Sequence, residues 1–183
     1  MSVLALDLAA QCGWARYGKD MARPFYGSAR LKRPAGSLGE QLENLRKLIA
    51  DQHQIGALTD IVYEAQHIGG NVDPQTVYSL IGMGAFCDWF AHRIGARCFV
   101  VDIGTWRKHF LGRGTFKAQG KLTARAQAKQ RSLDRCAEYG WYPTDDNAAD
   151  ALGVLDYYLS LPAIANIYPR PWRDAVLMAG ART

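Results

Sequence analysis

Residues 3–9 read Val3-Leu4-Ala5-Leu6-Asp7-Leu8-Ala9. This short apolar run carrying one acid reads as a strand. A carboxylate inside such a run is costly unless a cation, a hydrogen-bond network or a metal partners it. Working outward, residues 13–17 and 25–31 are short aromatic or small-residue segments set off by turn signals, so three consecutive strands in an antiparallel meander are expected. The spacing Leu38, Leu42, Leu45, Leu48, Ile49 then follows the helical period, with Ser37 and Glu40 placed as a capping box, and predicts a helix ending near His53. Asp60 to Ala65 (DIVYEA) reads as a buried strand. Pro74 opens a helix carrying Val77, Leu80, Ile81, Cys87, Phe90 and Ile94, and another strand follows over Arg97 to Asp102. Thr105 is placed to cap a short helix through Leu111. The stretch GRGTFKAQGK (112–121) has a mobile loop's composition, a basic helix runs to about Tyr139, and Asp145, Asp146 and Asn147 suit the first turn of a last helix reaching Leu161. This order predicts an α/β fold with a mixed sheet flanked by helices. Residues 1–162 are expected to form the domain and 163–183 a tail with no assigned structure.

The length of 183 residues suits one domain with a real core. No apolar run approaches the roughly 18 residues of a spanning helix, so no membrane partner is expected. Cys12, Cys87, Cys98 and Cys136 include no CxxC pair, and the N-terminus reads as a strand rather than a leader, which points to a reducing cytoplasm. The net charge of +5 is unevenly spread. Nine Lys or Arg residues lie between Arg107 and Arg135 against one carboxylate, Asp134, leaving the remainder of the chain at −3. Such a concentration is the footprint of a polyanion binder, with Arg107, Lys108, Arg113, Lys117, Lys121 and Arg125 as candidate nucleic-acid contacts; a solvated helix face is the plainer alternative.

Asp7 is not alone. Glu64 ends the apolar strand DIVYEA and Asp150 lies in the apolar helix NAADALGVL. Asp146 and Asp150 are four apart, hence on one helix face with Cβ atoms about 5–6 Å apart, mildly repulsive without a counter-charge. Carboxylates without a Cys/His ligand set point to a hard cation such as Mg²⁺ or Mn²⁺, and paired divalent ions serve phosphodiester hydrolysis. Asp146 suits a helix cap or first turn equally well.

Four motifs, LALDLAAQCGWA (4–15), VYEAQ (62–66) before a long apolar helix, TWRKHFLGRG (105–114) and DDNAADALGVLDYYL (145–159), resemble, in order and spacing, those of RuvC-type Holliday-junction resolvases, particularly their phage and prophage relatives. The resemblance implies a ribonuclease-H-like fold, with three antiparallel strands followed by parallel strands in a five-stranded sheet. It also implies a homodimer and Mg²⁺-dependent symmetric nicking of four-way DNA junctions, Mn²⁺ substituting. It makes Asp7, Glu64 and Asp150 metal ligands. The fourth is Asp146, with Asn147 as the alternative, and the lysine on the scissile phosphate is Lys129, with Lys121 as its rival. The helix from Pro74 to Ile94 carries more apolar positions than one sheet face covers, and the resemblance implies that this helix forms the dimer contact.

Two other readings stay open: a non-cleaving protein of the same fold that binds branched nucleic acid, and an actin-like ATP-binding module, for which Asp102-Ile-Gly-Thr105 would be the phosphate loop. Thr105 as a helix cap explains the latter more simply. Gly82 and Gly84 suit close helix packing, whereas Gly112 and Gly114 flank Arg113 where backbone can approach a phosphate. His53, His67, His92 and His109 have no metal-ligand spacing, although His67 follows Glu64 closely. Trp14, Trp106 and Trp141 are read as core.

Overall fold

The computed structural model describes residues 1–65, 72–118 and 123–173. Strands β1 (Ser2–Asp7), β2 (Gln11–Gly18) and β3 (Phe25–Arg30) form the expected meander. They are followed by α1 (Leu38–Ile55), β4 (Leu58–Glu64), α2 (Pro74–Ile94), β5 (Arg97–Val101), α3 (Ile103–Leu111), α4 (Ala124–Glu138), α5 (Asp146–Ser160) and the short α6 (Pro162–Ala165). The sheet order is β3-β2-β1-β4-β5. β1, β2 and β3 pair antiparallel, while β4 runs parallel to β1 and β5 parallel to β4.

The central strand is apolar on both faces because both are covered. Leu4 and Leu6 point into a core shared with Ile61, Tyr63 and the inner faces of α1 and α2. Val3 and Ala5 point the other way, into a core with Val62, α3, α4 and α5. α5 is buried almost all round, from Ala148 to Leu159, as expected of a helix without a polar face. Its small residues permit close approach: a Cβ on Gly153 would lie 2.6 Å from the Trp106 ring. None of the described helices is long and apolar enough to cross a membrane.

Several local expectations are corrected. α3 is capped by Asp102, not Thr105: the Asp102 carboxylate accepts from the Thr105 backbone N–H at 2.8 Å and from its hydroxyl at 2.9 Å. The capping box of α1 is half formed. Ser37 Oγ accepts from the Glu40 N–H at 3.1 Å, but Glu40 turns to Arg33. Gly112 is the left-handed residue that ends α3 (φ +82°), and Gly114 packs against the backbone of Gly104. Gly82 and Gly84 do provide close packing, against Leu38 and Tyr63.

Residues 163–173, the part of the expected tail that lies among the described residues, are firmly attached. Ile164, Tyr168 and Trp172 are buried in the α5-side core, and the Tyr17 hydroxyl donates to the Pro169 carbonyl at 2.8 Å. The anchor is Asp156, fully buried on α5, which accepts from Trp172 Nε1 at 2.9 Å and pairs with Arg170, Arg173 and His109. These donors hold its carboxyl down at about 2 against the opposing effect of burial.

Candidate active site

β1 and β4 are parallel and in register, Leu6 opposite Tyr63, so Asp7 and Glu64 emerge at the same end of the sheet. Side chains alternate along a strand. Val3 and Ala5 in β1 and Val62 in β4 face α5, and Asp7 and Glu64 continue those two series. Both carboxylates are thereby directed to the side where α5 carries Asp150 one turn beyond Asp146.

Gly13 brings the helix to them. It is the register partner of Asp7, and a Cβ there would stand 1.9 Å from the Asn147 carbonyl oxygen and 2.8 Å from the Ala148 nitrogen. The first turn of α5 therefore rests on bare β2 backbone beside Asp7. Asp145 caps that turn, accepting from the Ala148 N–H at 2.9 Å, and Ser28 of β3 donates to its other oxygen. Asn147 adjoins the site through its backbone.

The electrostatics are those of crowded, desolvated acids. Burial first, then the charges of Asp150, Glu64 and Asp146, push the Asp7 carboxyl well above the usual carboxylate range. Burial raises Glu64 to about 7 and Asp150 to about 6, each moderated by a hydrogen bond and by the nearby charge of Arg107. Trp106 Nε1 donates to Glu64 Oε2 at 2.7 Å, and Ser132 Oγ donates to Asp150 Oδ1 at 2.6 Å. Lys129 forms an ion pair with Asp146. Arg107 lies against the Trp106 ring (5.4 Å to its centroid), and its Nε is buried without a hydrogen-bond partner among the described residues.

Asp7, Glu64, Asp146, Asp150 and Lys129 thus share one electrostatic neighbourhood. As they stand, no three of the described His, Cys, Asp and Glu side chains close into a metal-holding group. The donor chemistry fits a hard divalent cation: Asp150 is buried, Asp7 and Glu64 are half-buried, and these oxygen donors repel one another, with no imidazole or thiolate among them.

The basic segment divides by environment. Arg107 and Lys129 turn to the acids, and Arg131 and Arg135 pair with Glu138. Lys108, Arg113, Lys117 and Arg125 are exposed. Lys121 and His67 lie outside the described residues. His53 accepts from the Leu58 N–H, and His109 belongs to the Asp156 cluster.

Sequence reasoning missed three contributors. Ser132 was signalled only by its place with Ala128 and Cys136 on the single buried face of an otherwise charged helix. Trp106 is core as expected, but its indole N–H also orients Glu64. Gly13 carried no local signal, because its role is to leave room for a helix more than a hundred residues away.

No protein-family model and no curated protein matches the chain. Solved structures do. RuvC of Thermus thermophilus aligns over 86% of this chain and 95% of its own, at 13% identity and a TM-score of 0.62. The same protein in complex with a Holliday-junction substrate aligns over 86% and 94%, at 11% identity and a TM-score of 0.62. The yeast mitochondrial Holliday-junction resolvase Ydc2 aligns over 94% of this chain and 83% of its own, at 10% identity and a TM-score of 0.57. At such identities the likeness establishes the fold. The mixed five-stranded sheet with its flanking helices is ribonuclease-H-like, in the form shared with RuvC and Ydc2.

Proposed function

We propose that this chain is a divalent-metal-dependent endodeoxyribonuclease that cuts four-way or otherwise branched DNA, of the phage or prophage branch of RuvC-type resolvases, working in the cytoplasm. The observation that carries the reading is the convergence of Asp7, Glu64 and Asp150, from β1, β4 and α5, into one desolvated neighbourhood, with pKa values raised by burial and mutual charge, on a fold shared with Holliday-junction resolvases.

In this reading Asp7, Glu64, Asp150 and Asp146 would hold Mg²⁺, or Mn²⁺ in its place, which would supply an activated water and charge neutralisation at the leaving oxygen. Trp106 and Ser132 each occupy one carboxylate oxygen and fix the orientation of Glu64 and Asp150, as outer hydrogen-bond partners commonly do. Lys129, which pairs with Asp146, stands beside these carboxylates as the cation for the scissile phosphate. Arg107 stands beside Glu64 and Asp150 as a second cation for the substrate strand, and Lys108, Arg113, Lys117, Lys121 and Arg125 hold the backbone further out.

A symmetric substrate calls for two such sites. Tyr78, Ile81 and Trp89 are more than half exposed along one side of α2, an apolar stripe that supports a two-fold dimer through this helix. Replacing Ile81 and Trp89 with glutamate is expected to halve the mass seen in light scattering, and a wild-type mass that is monomeric at every concentration counts against the dimer.

The deciding experiment incubates the chain with a labelled four-way junction and Mg²⁺. Paired nicks that vanish in Asp7→Asn, while junction binding persists or tightens, support the reading. A band shift without cleavage identifies a non-cleaving binder, and normal cleavage by Asp7→Asn refutes the ligand assignment.

A further inference from the structure

A second group of cations lies across the sheet from the basic helix, at the same end as the carboxylates. From Met21 to Gly39 the chain has four cations, Arg23, Arg30, Lys32 and Arg33, and no carboxylate, a concentration hidden in the negative sum of the chain outside 107–135. The last three line a concavity of about 290 Å³ together with Ala10, Gln11 at the start of β2, and Ala35. The fold produces this placement. β1 rises to Asp7, β2 descends from Gln11, and β3 rises again to Arg30, which pairs with Gln11. The next residue closes the wall through the Leu31 N–H to the Ala10 carbonyl at 2.8 Å.

The concavity is also connected to the carboxylate site. Gln11 Nε2 donates to Ser28 Oγ at 3.0 Å, and Ser28 donates in turn to Asp145, the cap of α5. Arg30 and Arg33 are exposed and Lys32 is partly so. Glu40 is the carboxylate that reaches into the group, pairing with Arg33 at 2.9 Å, which leaves a net charge of +2 from three cations and one acid. β3 lies two strand spacings from β1, about 10 Å at roughly 4.8 Å each. This exceeds the roughly 3.4 Å of axial rise per step of one strand, so the concavity meets a phosphate within a few nucleotides of the scissile one.

Building on the nuclease reading, we propose that Arg30, Lys32 and Arg33, with Gln11, form a second phosphate-binding subsite. It takes the backbone of the cut strand within a few nucleotides of the scissile bond, on the side opposite Arg107 and α4. The two cation groups then bracket the carboxylates, and a strand crossing that end of the sheet is held at both sides of the reacting phosphate. Such bracketing fixes the register of the strand on the site without reading its sequence.

The test is junction binding by fluorescence anisotropy in EDTA, from about 50 to 200 mM salt, for the wild type, R30A/K32A/R33A and E40Q. The triple variant, with a melting temperature near that of wild type, is expected to bind about tenfold or more weakly, with a log–log salt slope shallower by about two to three units. E40Q releases Arg33 and is expected to bind about twofold tighter, a gain that misfolding does not produce. Single methylphosphonates placed along the strand should weaken wild-type binding at a position within a few nucleotides of the cut and leave the triple variant indifferent there. If the wild type binds the junction and the triple variant matches it in affinity and slope, the subsite is refuted while the nuclease reading stands. If the wild type binds no branched DNA, both fall.

Discussion

Replacing Gly13 with alanine tests how the site is assembled. The added Cβ would lie 1.9 Å from Asn147 O and 2.2 Å from Asn147 C, and ordinary contact begins near 3.4 Å. The first turn of α5 must therefore move off β2 by about 1.5 Å. Neither partner yields easily, because one is a paired strand and the other the backbone of the most buried helix. Overpacking of this kind costs about 1–3 kcal/mol, and backbone against backbone places Gly13→Ala near 3 kcal/mol. For a chain of this size that is about 6–12 °C in melting temperature. The same displacement separates Asp146 and Asp150 from Asp7, and a misplacement of about 1 Å costs roughly a hundredfold in rate. Thermal melts with junction cleavage, assayed well below the lowered transition, measure both effects. Gly39→Ala is the control. Gly39 is exposed near the start of α1, where a Cβ finds only Ser37 Oγ at 3.6 Å, so alanine should leave stability unchanged or raise it by up to about 1 kcal/mol. Gly13→Ala with wild-type melting and cleavage would show that α5 does not rest on β2 beside Asp7, and the assembly of the site argued above would be wrong.

The raised carboxylates set a pH dependence for the metal-free protein. A group whose folded pKa is raised contributes stability that is complete below its unfolded value and is lost as pH climbs through the folded one. Glu64 and Asp150, at about 7 and about 6, should therefore lower the melting temperature between about pH 4 and pH 7; Mg²⁺ should restore it at pH 8 in wild type but not in Asp7→Asn, whereas a flat profile with no Mg²⁺ response contradicts the assigned crowding. Asp156→Ala leaves the half-buried Arg170 and Arg173 without their carboxylate and should cost about 3 kcal/mol by urea denaturation; a loss below about 1 kcal/mol would mean the segment after α5 is held by its aromatics alone. Lys129→Ala should cut the cleavage rate about a hundredfold while changing junction affinity less than about tenfold, because a cation aimed at developing charge acts mainly in the transition state; equal losses in both would make Lys129 an ordinary backbone contact.

Much of this protein is legible without its structure, for reasons that lie in local physics. The run around Asp7 is apolar because β1 is covered on both faces, and that pattern sufficed to mark a strand and an acid that must be explained. Helical spacing, Pro74 at its helix start and Asp145 to Asn147 before an apolar run located α1, α2 and α5 to within a few residues. The acids Asp7, Glu64 and Asp150 stood out because burying a charge is expensive wherever it occurs. Where two local signals competed, the reading went astray: Asp102 and Thr105 are both good caps, and only the backbone path decided that Asp102 takes the role and Thr105 donates to it.

What the tertiary structure alone decided are relations between distant residues. That Asp7 and Glu64 face the same helix depends on the parallel register of β1 with β4, which strand composition does not encode. That Ser132 and Trp106 hold Asp150 and Glu64 depends on where α4 and α3 dock. The significance of Gly13, and the concavity of Arg30, Lys32 and Arg33 at the carboxylate end of the sheet, likewise come from packing. Asp60 makes the contrast plain: it lies near the start of the strand that Glu64 ends and is fully buried, yet Arg97, Tyr158 and Thr59 satisfy it at the far end of β4. Chain chemistry determines which residues are costly to bury, because transfer from water is a property of the side chain. Which partner then compensates each one is set by non-local geometry, because it depends on which distant segment the fold brings within hydrogen-bond reach.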